Sequence, residues 1–144
     1  MGRIVVHLHG VPKEKAMKSL IEMYAQRLNA RGVKLEYHSA KLAGEVYLDN
    51  IVSLGGKVVL LDEEGRQFDS LSLARQVESW QLSSDTTHLV LGPFQGWKGY
   101  VNKTNFTLLS LSSLTFPHEI AGILVMEQLY RATEILRGSE YHKA

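Results

Sequence analysis

Val58-Val59-Leu60-Leu61-Asp62 is a run of four apolar residues, two of them β-branched, closed by an acid. In a strand, successive side chains point to opposite faces, so a run apolar at every position suits a strand covered on both sides. Such strands belong to parallel sheets sandwiched by helices. Upstream of this run, Gly55-Gly56 closes a weakly patterned helix from Ala43 to Leu54, and Val33 to His38 alternates as a strand. Before that, Ala16, Met17, Leu20, Ile21, Tyr24 and Leu28 recur at helical spacing and predict a helix over 13–29 that stops at Gly32. Arg3 to His9 reads as the first strand. Downstream, Ser70 is read as the cap of a helix with the stripe Leu71, Ala74, Val77 and Trp80. Strands follow at Thr87 to Leu91 and at Phe106 to Leu111. Pro117 opens a last helix that runs to about Arg137 and stops at Gly138. Strand and helix alternate throughout, so the class is α/β, a mainly parallel sheet with helices on both faces. At 144 residues the chain is read as one domain, 1–144.

Composition narrows the chemistry. The absence of cysteine removes disulfides, thiolate metal sites and a cysteine nucleophile. Ile4-Val5-Val6 is too short for a signal peptide core and no apolar stretch is long enough for a membrane span, so the expected location is the cytoplasm, with no membrane partner. The net charge of +1 hides a gradient. Residues 1–45 carry eight Lys and Arg against four acids, while residues 46–96 carry three against seven. The basic third is either a face for phosphates or the solvated side of a helix.

In open parallel sheets a ligand lies beyond the carboxyl ends of the strands, which directs attention to Asp62, Gly92 and the segment around Leu111. No G-x-G-x-x-G or G-x-x-x-x-G-K-[ST] is present, so the usual nucleotide fingerprints do not apply. Leu91-Gly92-Pro93-Phe94-Gln95-Gly96 is a glycine-bearing turn where backbone can approach a ligand, or simply a tight turn with positive φ at Gly96. The six histidines are scattered. His7 and His9 share one strand face and are read as structural, and no metal is expected. Ser112 and Ser113 lack a nucleophile elbow, which argues against a hydrolase. His118, at the start of the last helix, is read as a turn cap.

The C-terminal third carries the most specific pattern. It runs Leu109-Ser110-Leu111-Ser112-Ser113-Leu114-Thr115-Phe116-Pro117-His118-Glu119, then Glu127-Gln128-Leu129-Tyr130-Arg131-Ala132, then Gly138-Ser139-Glu140-Tyr141-His142-Lys143. This pattern closely resembles the RlmH-type family of large-subunit ribosomal RNA methyltransferases, members of the SPOUT superfamily, and the resemblance spans essentially the whole chain. It implies a C-terminal trefoil knot and S-adenosyl-L-methionine-dependent methylation of N3 of a pseudouridine in 23S-type ribosomal RNA. It also implies a cofactor held by Leu61, Gly92 and the run Leu111, Ser112, Ser113, Leu114, Thr115 and Phe116, mostly through backbone groups. Two positions depart from the family pattern: Pro93 stands where many relatives have a second glycine, and Gly122 where many have an arginine.

The same resemblance makes Arg131, Tyr141 and His142 the catalytic candidates. Arg131 either contacts RNA or simply pairs with Glu127 four residues before it. The six residues after Gly138, too few and too polar to form core, are expected to be free of it and able to reach a ligand, with His142 accepting or relaying the N3 proton and Tyr141 stacking on the target base. The last helix carries two neighbouring apolar stripes. Ala121, Val125, Leu129, Ala132 and Leu136 form one, and Ile123, Met126 and Tyr130 the other. One sheet face does not cover both, so a homodimer through this helix is expected, split by a charge at Met126 or Ile123. The rival to an enzyme is a non-catalytic RNA-binding or ribosome-associated knotted dimer, and cofactor affinity separates the two.

Overall fold

A computed structural model describes residues 2–93, 96–97, 102 and 105–143. Five strands, β1 (Ile4–His9), β2 (Val33–His38), β3 (Lys57–Gln67), β4 (Thr87–Val90) and β5 (Thr107–Ser110), form one sheet in the order β2-β1-β4-β3-β5. Every neighbouring pair is parallel. Four helices cover it: α1 (Lys15–Asn29), α2 (Gly44–Val52), α3 (Ser70–Leu82) and α4 (His118–Leu136). The expected class, a parallel sheet with helices on both faces, is what the chain adopts.

The period-2 alternation of the strands divides the core. Ile4, Val6, Leu8, Val59 and Leu89 face α1, α3 and α4, whereas Leu60 and Val90 face α2 with Tyr47, Leu48 and Ile51. His7 belongs to the second face, where the Tyr47 hydroxyl donates to the Leu91 carbonyl at 2.8 Å with the His7 carbonyl at 3.0 Å. This couples α2 to the ends of β1 and β4.

Several expected details are corrected. In α1 the buried residues are Ile21 and Leu28, with Tyr24 and Ala25 packed beside them, while Ala16 and Leu20 are exposed. Leu20 stands about 100° round the helix from Ile21, off the stripe that meets α4. In α3 the stripe is Leu73, Ala74, Val77 and Trp80, and Leu71 is exposed. The cap of α3 is Asp69, whose carboxylate accepts from the Ser72 N–H at 2.7 Å. Ser70 instead donates to Gln128 on α4 at 2.8 Å. β3 does not end at Asp62. It continues to Gln67, with a register shift against β5 between Leu61 and Arg66.

Much of the two stripes of α4 is covered by the chain itself, while Ala121, Ile123 and Tyr130 stay partly exposed and Leu136 is exposed. Val125, Met126, Leu129 and Ala132 are buried, and Ala121, Ile123 and Tyr130 pack against the same core, because α4 lies between α1 and α3. Met126 is fully buried, so it is a core residue and not a dimer contact. Met126→Ala is therefore expected to lower the unfolding free energy by about 3 kcal/mol in urea denaturation, and Ile123→Ala by about 1 kcal/mol. Between β4 and β5, residues 94–95, 98–101 and 103–104 lie outside the described set, so the expected knot is not traced there, and Phe94 and Gln95 of the glycine turn are among them.

Candidate functional site

The carboxyl ends of β3, β4 and β5 and the start of α4 enclose a cavity of about 280 Å³. That is close to the lower end of the range for small-molecule pockets, about 300–1,000 Å³. Three loops build its walls. Leu61, Asp62, Glu63 and Glu64 come from the β3 bulge, Leu91, Gly92, Pro93, Gly96 and Trp97 from the loop after β4, and Ser110 to Ser112 with Leu114 to Phe116 from the segment before α4. Of the sequence candidates, Leu61, Gly92, Leu111, Ser112, Leu114, Thr115 and Phe116 line it, whereas Ser113 is exposed and outside the lining.

Each wall has a local reason for its shape. The Ser110 hydroxyl donates to the Ser112 carbonyl at 2.9 Å and the Ser112 hydroxyl accepts from the Leu114 N–H at 3.0 Å, so the serines fold the turn upon itself. In the bulge, the Asp62 carboxylate accepts from the Glu64 N–H at 2.8 Å, and Glu63 accepts from the Thr115 hydroxyl at 3.3 Å across the cavity mouth. Pro93 contributes its carbonyl, which accepts from the Gly96 N–H at 2.7 Å, with Gly96 at φ 76°. The lost N–H of Pro93 is therefore outside that turn bond. A side chain on Gly92 would come within 3.1 Å of the Trp97 indole nitrogen, which donates to the Leu61 carbonyl at 3.1 Å. Trp97 thus ties two walls together.

His118 lines the cavity and is not a cap. The N-cap of α4 is Pro117, without a side-chain bond, and the His118 Nε2 is buried with no hydrogen bond among the described residues. Burial, reinforced by nearby His9, holds its pKa below the ordinary histidine value. Gly122 is buried on the core side of α4, where a β-carbon would stand 2.9 Å from Leu8.

At the other end of α4 the three catalytic candidates meet. The Glu127 carboxylate receives the Arg131 guanidinium at 2.9 Å and the Tyr141 hydroxyl at 2.8 Å, and Arg131 donates to His142 Nδ1 at 3.2 Å. The guanidinium lies 5.0 Å from the Tyr141 ring centroid, and that ring meets Tyr130 edge-on at 4.9 Å. Burial, then the bond to Glu127, raises the Tyr141 pKa. The tail is thus pinned, contrary to the free tail read from sequence. Gly138, at φ 73°, turns the chain back so that the Ser139 N–H reaches the Glu134 carbonyl at 3.1 Å. Nearby, Arg27 and Arg31 lie over the Tyr130 ring, and Arg31 pairs with Glu134 at 3.0 Å. These two arginines of the basic N-terminal third are engaged by their own chain, whereas Arg3, Lys13, Lys15, Lys18 and Lys41 are exposed.

Residues 3–142 match the family described as predicted SPOUT methyltransferase. The chain belongs to the SPOUT methyltransferase family. Ribosomal RNA large subunit methyltransferase H of Prochlorococcus marinus (strain NATL2A) is 40% identical over 136 residues, covering 93% of this chain and 91% of that protein. The protein of the same name from Gloeobacter violaceus (strain ATCC 29082 / PCC 7421) is 36% identical over 151 residues, covering 97% and 98%. Among solved structures, a probable methylase family protein from Haemophilus influenzae Rd KW20 superposes with a TM-score of 0.50 at 17% identity. The alignment spans 94% of this chain and 66% of that one, and it supports the fold alone.

The cavity residues that the sequence did not single out are Trp97, Glu63 and Glu64, and His118, which was read only as a turn cap. Trp97 follows the positive-φ Gly96 of the turn read from the sequence. Glu127 was also missed as the centre of the tail cluster. Among the described residues of this methyltransferase, no helix is long and apolar enough to cross a membrane.

Proposed function

We propose that this SPOUT methyltransferase uses S-adenosyl-L-methionine to methylate large-subunit ribosomal RNA, at N3 of a pseudouridine, as a homodimer. The observation that carries the reading is the convergence of the loops after β3, β4 and β5 on one cavity. The fit is chemical as well as spatial. Leu61, Leu91, Leu111 and Phe116 offer apolar surface to an adenine ring, and backbone groups of the turns offer its polar contacts. Asp62, Glu63 and Glu64 at the rim complement a ligand with ammonium and sulfonium charges.

The bound donor supplies a methyl group already activated on sulfur, so the protein must align it with N3 and favour the deprotonated imide. Because Arg131 always donates, His142 Nδ1 accepts, and the neutral ring carries its proton on Nε2. His142 is then a donor to an imide oxygen as negative charge develops, a role different from the proton acceptor expected from sequence. Arg131 adds positive charge beside it. Tyr141, held by Glu127 and covered by the guanidinium, positions this pair and does not stack on the base. Arg131 is thirteen residues beyond His118, or about 20 Å along α4. The tail of one protomer therefore completes the cavity of its partner, which is the argument for the dimer.

Calorimetry with S-adenosylmethionine on the purified chain tests the first step, and methyl transfer to large ribosomal subunits the second. Gly92→Val is expected to push Trp97 off the Leu61 carbonyl and weaken cofactor binding by about tenfold or more, a cost of about 1.4 kcal/mol or more. Wild-type protein that binds ribosomal RNA but no cofactor would favour the non-catalytic RNA-binding reading instead.

A further inference from the structure

The α2 face of the sheet holds a line of histidines that methyl transfer does not use. His88 Nε2 lies 3.0 Å from the Gly55 carbonyl, which only accepts, so that nitrogen carries a proton and His88 Nδ1 accepts. His7 Nε2, 2.8 Å from His88 Nδ1, must then donate. In a neutral ring this leaves a lone pair on His7 Nδ1. His7 is fully buried, and burial, then the neighbouring His38 and His88, hold it neutral with a pKa lowered to about 3. A buried imidazole is thus fixed with its acceptor nitrogen facing outward.

What it faces is a pair of ligand-bearing side chains on the edge strand. The parallel register sets His7 beside Glu36 and His9 beside His38. His38 Nε2 is 2.8 Å from His7 Nδ1, and a Glu36 oxygen is 3.7 Å from His7 Nδ1 and 4.0 Å from His38 Nε2. These three separations put the in-plane point equidistant from the atoms about 2.1 Å from each, the length of a zinc–imidazole or zinc–carboxylate bond. Glu36 has a side-chain exposure of 54% and His38 of 16%, so the group opens to solvent above a buried base.

We propose that His7 Nδ1, His38 Nε2 and the Glu36 carboxylate bind a divalent transition-metal ion of the zinc class, which clips edge strand β2 to β1. The proton of His38 moves from Nε2 to Nδ1 to free the second lone pair, and water fills the remaining position. The His7 and His38 rings are tilted by 41° with centroids 5.0 Å apart, and His38, on the edge strand, is the member that rotates in place to turn its lone pair toward the ion. The His88 to Gly55 bond orients His7 as outer-shell partners orient metal-binding histidines. Histidine and carboxylate donors without thiolate suit zinc, nickel or cobalt over calcium or magnesium.

The test uses the full chain, stripped with a chelator and titrated with zinc chloride at pH about 7.5, where ordinary histidines are neutral, with no methyl donor or RNA present. The expected result is one zinc per chain with a rise in melting temperature, and about tenfold or more weaker binding in His38→Gln and in Glu36→Gln. Cobalt is expected to give a visible absorption band that His38→Gln abolishes. His142→Gln, at the far tail cluster, should leave zinc affinity unchanged. Both site variants alter exposed or edge positions, and circular dichroism verifies their fold. If His38→Gln unfolds, Glu36→Gln alone decides. Absence of saturable zinc binding, or unchanged affinity in the folded site variants, overturns the proposal.

Discussion

A chain cut after Ser139 is expected to bind S-adenosylmethionine as the full chain does, yet to lose methyl transfer by about a hundredfold or more. The cavity and the tail cluster share α4 but sit at opposite ends of it, so removing Tyr141 and His142 leaves the walls that the same chain builds untouched, and the partner's tail acts on the RNA base rather than on the methyl donor. The cut also removes the bond from Tyr141 to Glu127, the edge contact with Tyr130 and the cover over Arg131. These half-exposed contacts together stabilise by about 1–2 kcal/mol, so the melting temperature should fall by several degrees. A point variant separates the two effects. His142→Gln keeps the Tyr141 anchors and should melt with the wild type, while transfer to large subunits falls by about a hundredfold. Near-normal transfer by the truncated chain would remove the tail from the chemistry. Loss of cofactor binding in it would show instead that the tail supports the cavity.

The strands were legible because their apolar runs match burial on both faces, and β2 has the bounds its alternation predicts. The helix faces were read less well. Leu20 and Leu71 fit an i, i+3 spacing, but the real stripes follow the 3.6 period, and only the positions of α1 and α3 around α4 decide which residues fall inside. Met126 on the double stripe of α4 was read as a contact between copies, and it lies in the core because two helices flank α4, which the sequence does not tell. The candidates named from the family resemblance, Leu61, Gly92 and most of the run from Leu111 to Phe116, line one cavity. Contacts with no such pattern behind them were not legible. Glu36 and His38 reach His7 only through the parallel register of β1 and β2, and Trp97 reaches Leu61 only because the loop after β4 folds back over β3. A free tail was the default for a polar terminus, and the turn at Gly138 together with one carboxylate on α4 was enough to overturn it.

Gly65→Val is expected to destabilise the fold by about 4 kcal/mol and to abolish measurable cofactor binding in the protein that still folds. Sequence reading ended β3 at Asp62 and gave Gly65 no role, yet the strand leaves its ladder after Leu61 and rejoins β5 at Arg66. To rejoin, its backbone crosses that of β5 so closely that a β-carbon on Gly65 would stand 2.6 Å from the Leu108 carbonyl carbon and from the Leu109 nitrogen. Both are main-chain atoms, so no rotamer change relieves the clash, and one strand must move. Movement of β3 breaks the pairing of Arg66 with Leu109 and Gln67 with Ser110, and it withdraws Glu63 from the Thr115 hydroxyl across the cavity mouth. Ser110 and Leu111, the next residues of β5 and its turn, are themselves cavity wall. The substitution therefore reaches the cavity from two sides without altering any side chain that lines it. Urea denaturation measures the first effect, and calorimetry at a temperature where the variant remains folded measures the second. Gly65→Ala carries the same β-carbon and should show most of the loss, whereas wild-type stability and affinity in Gly65→Ala would mean that β3 does not run against β5 as described.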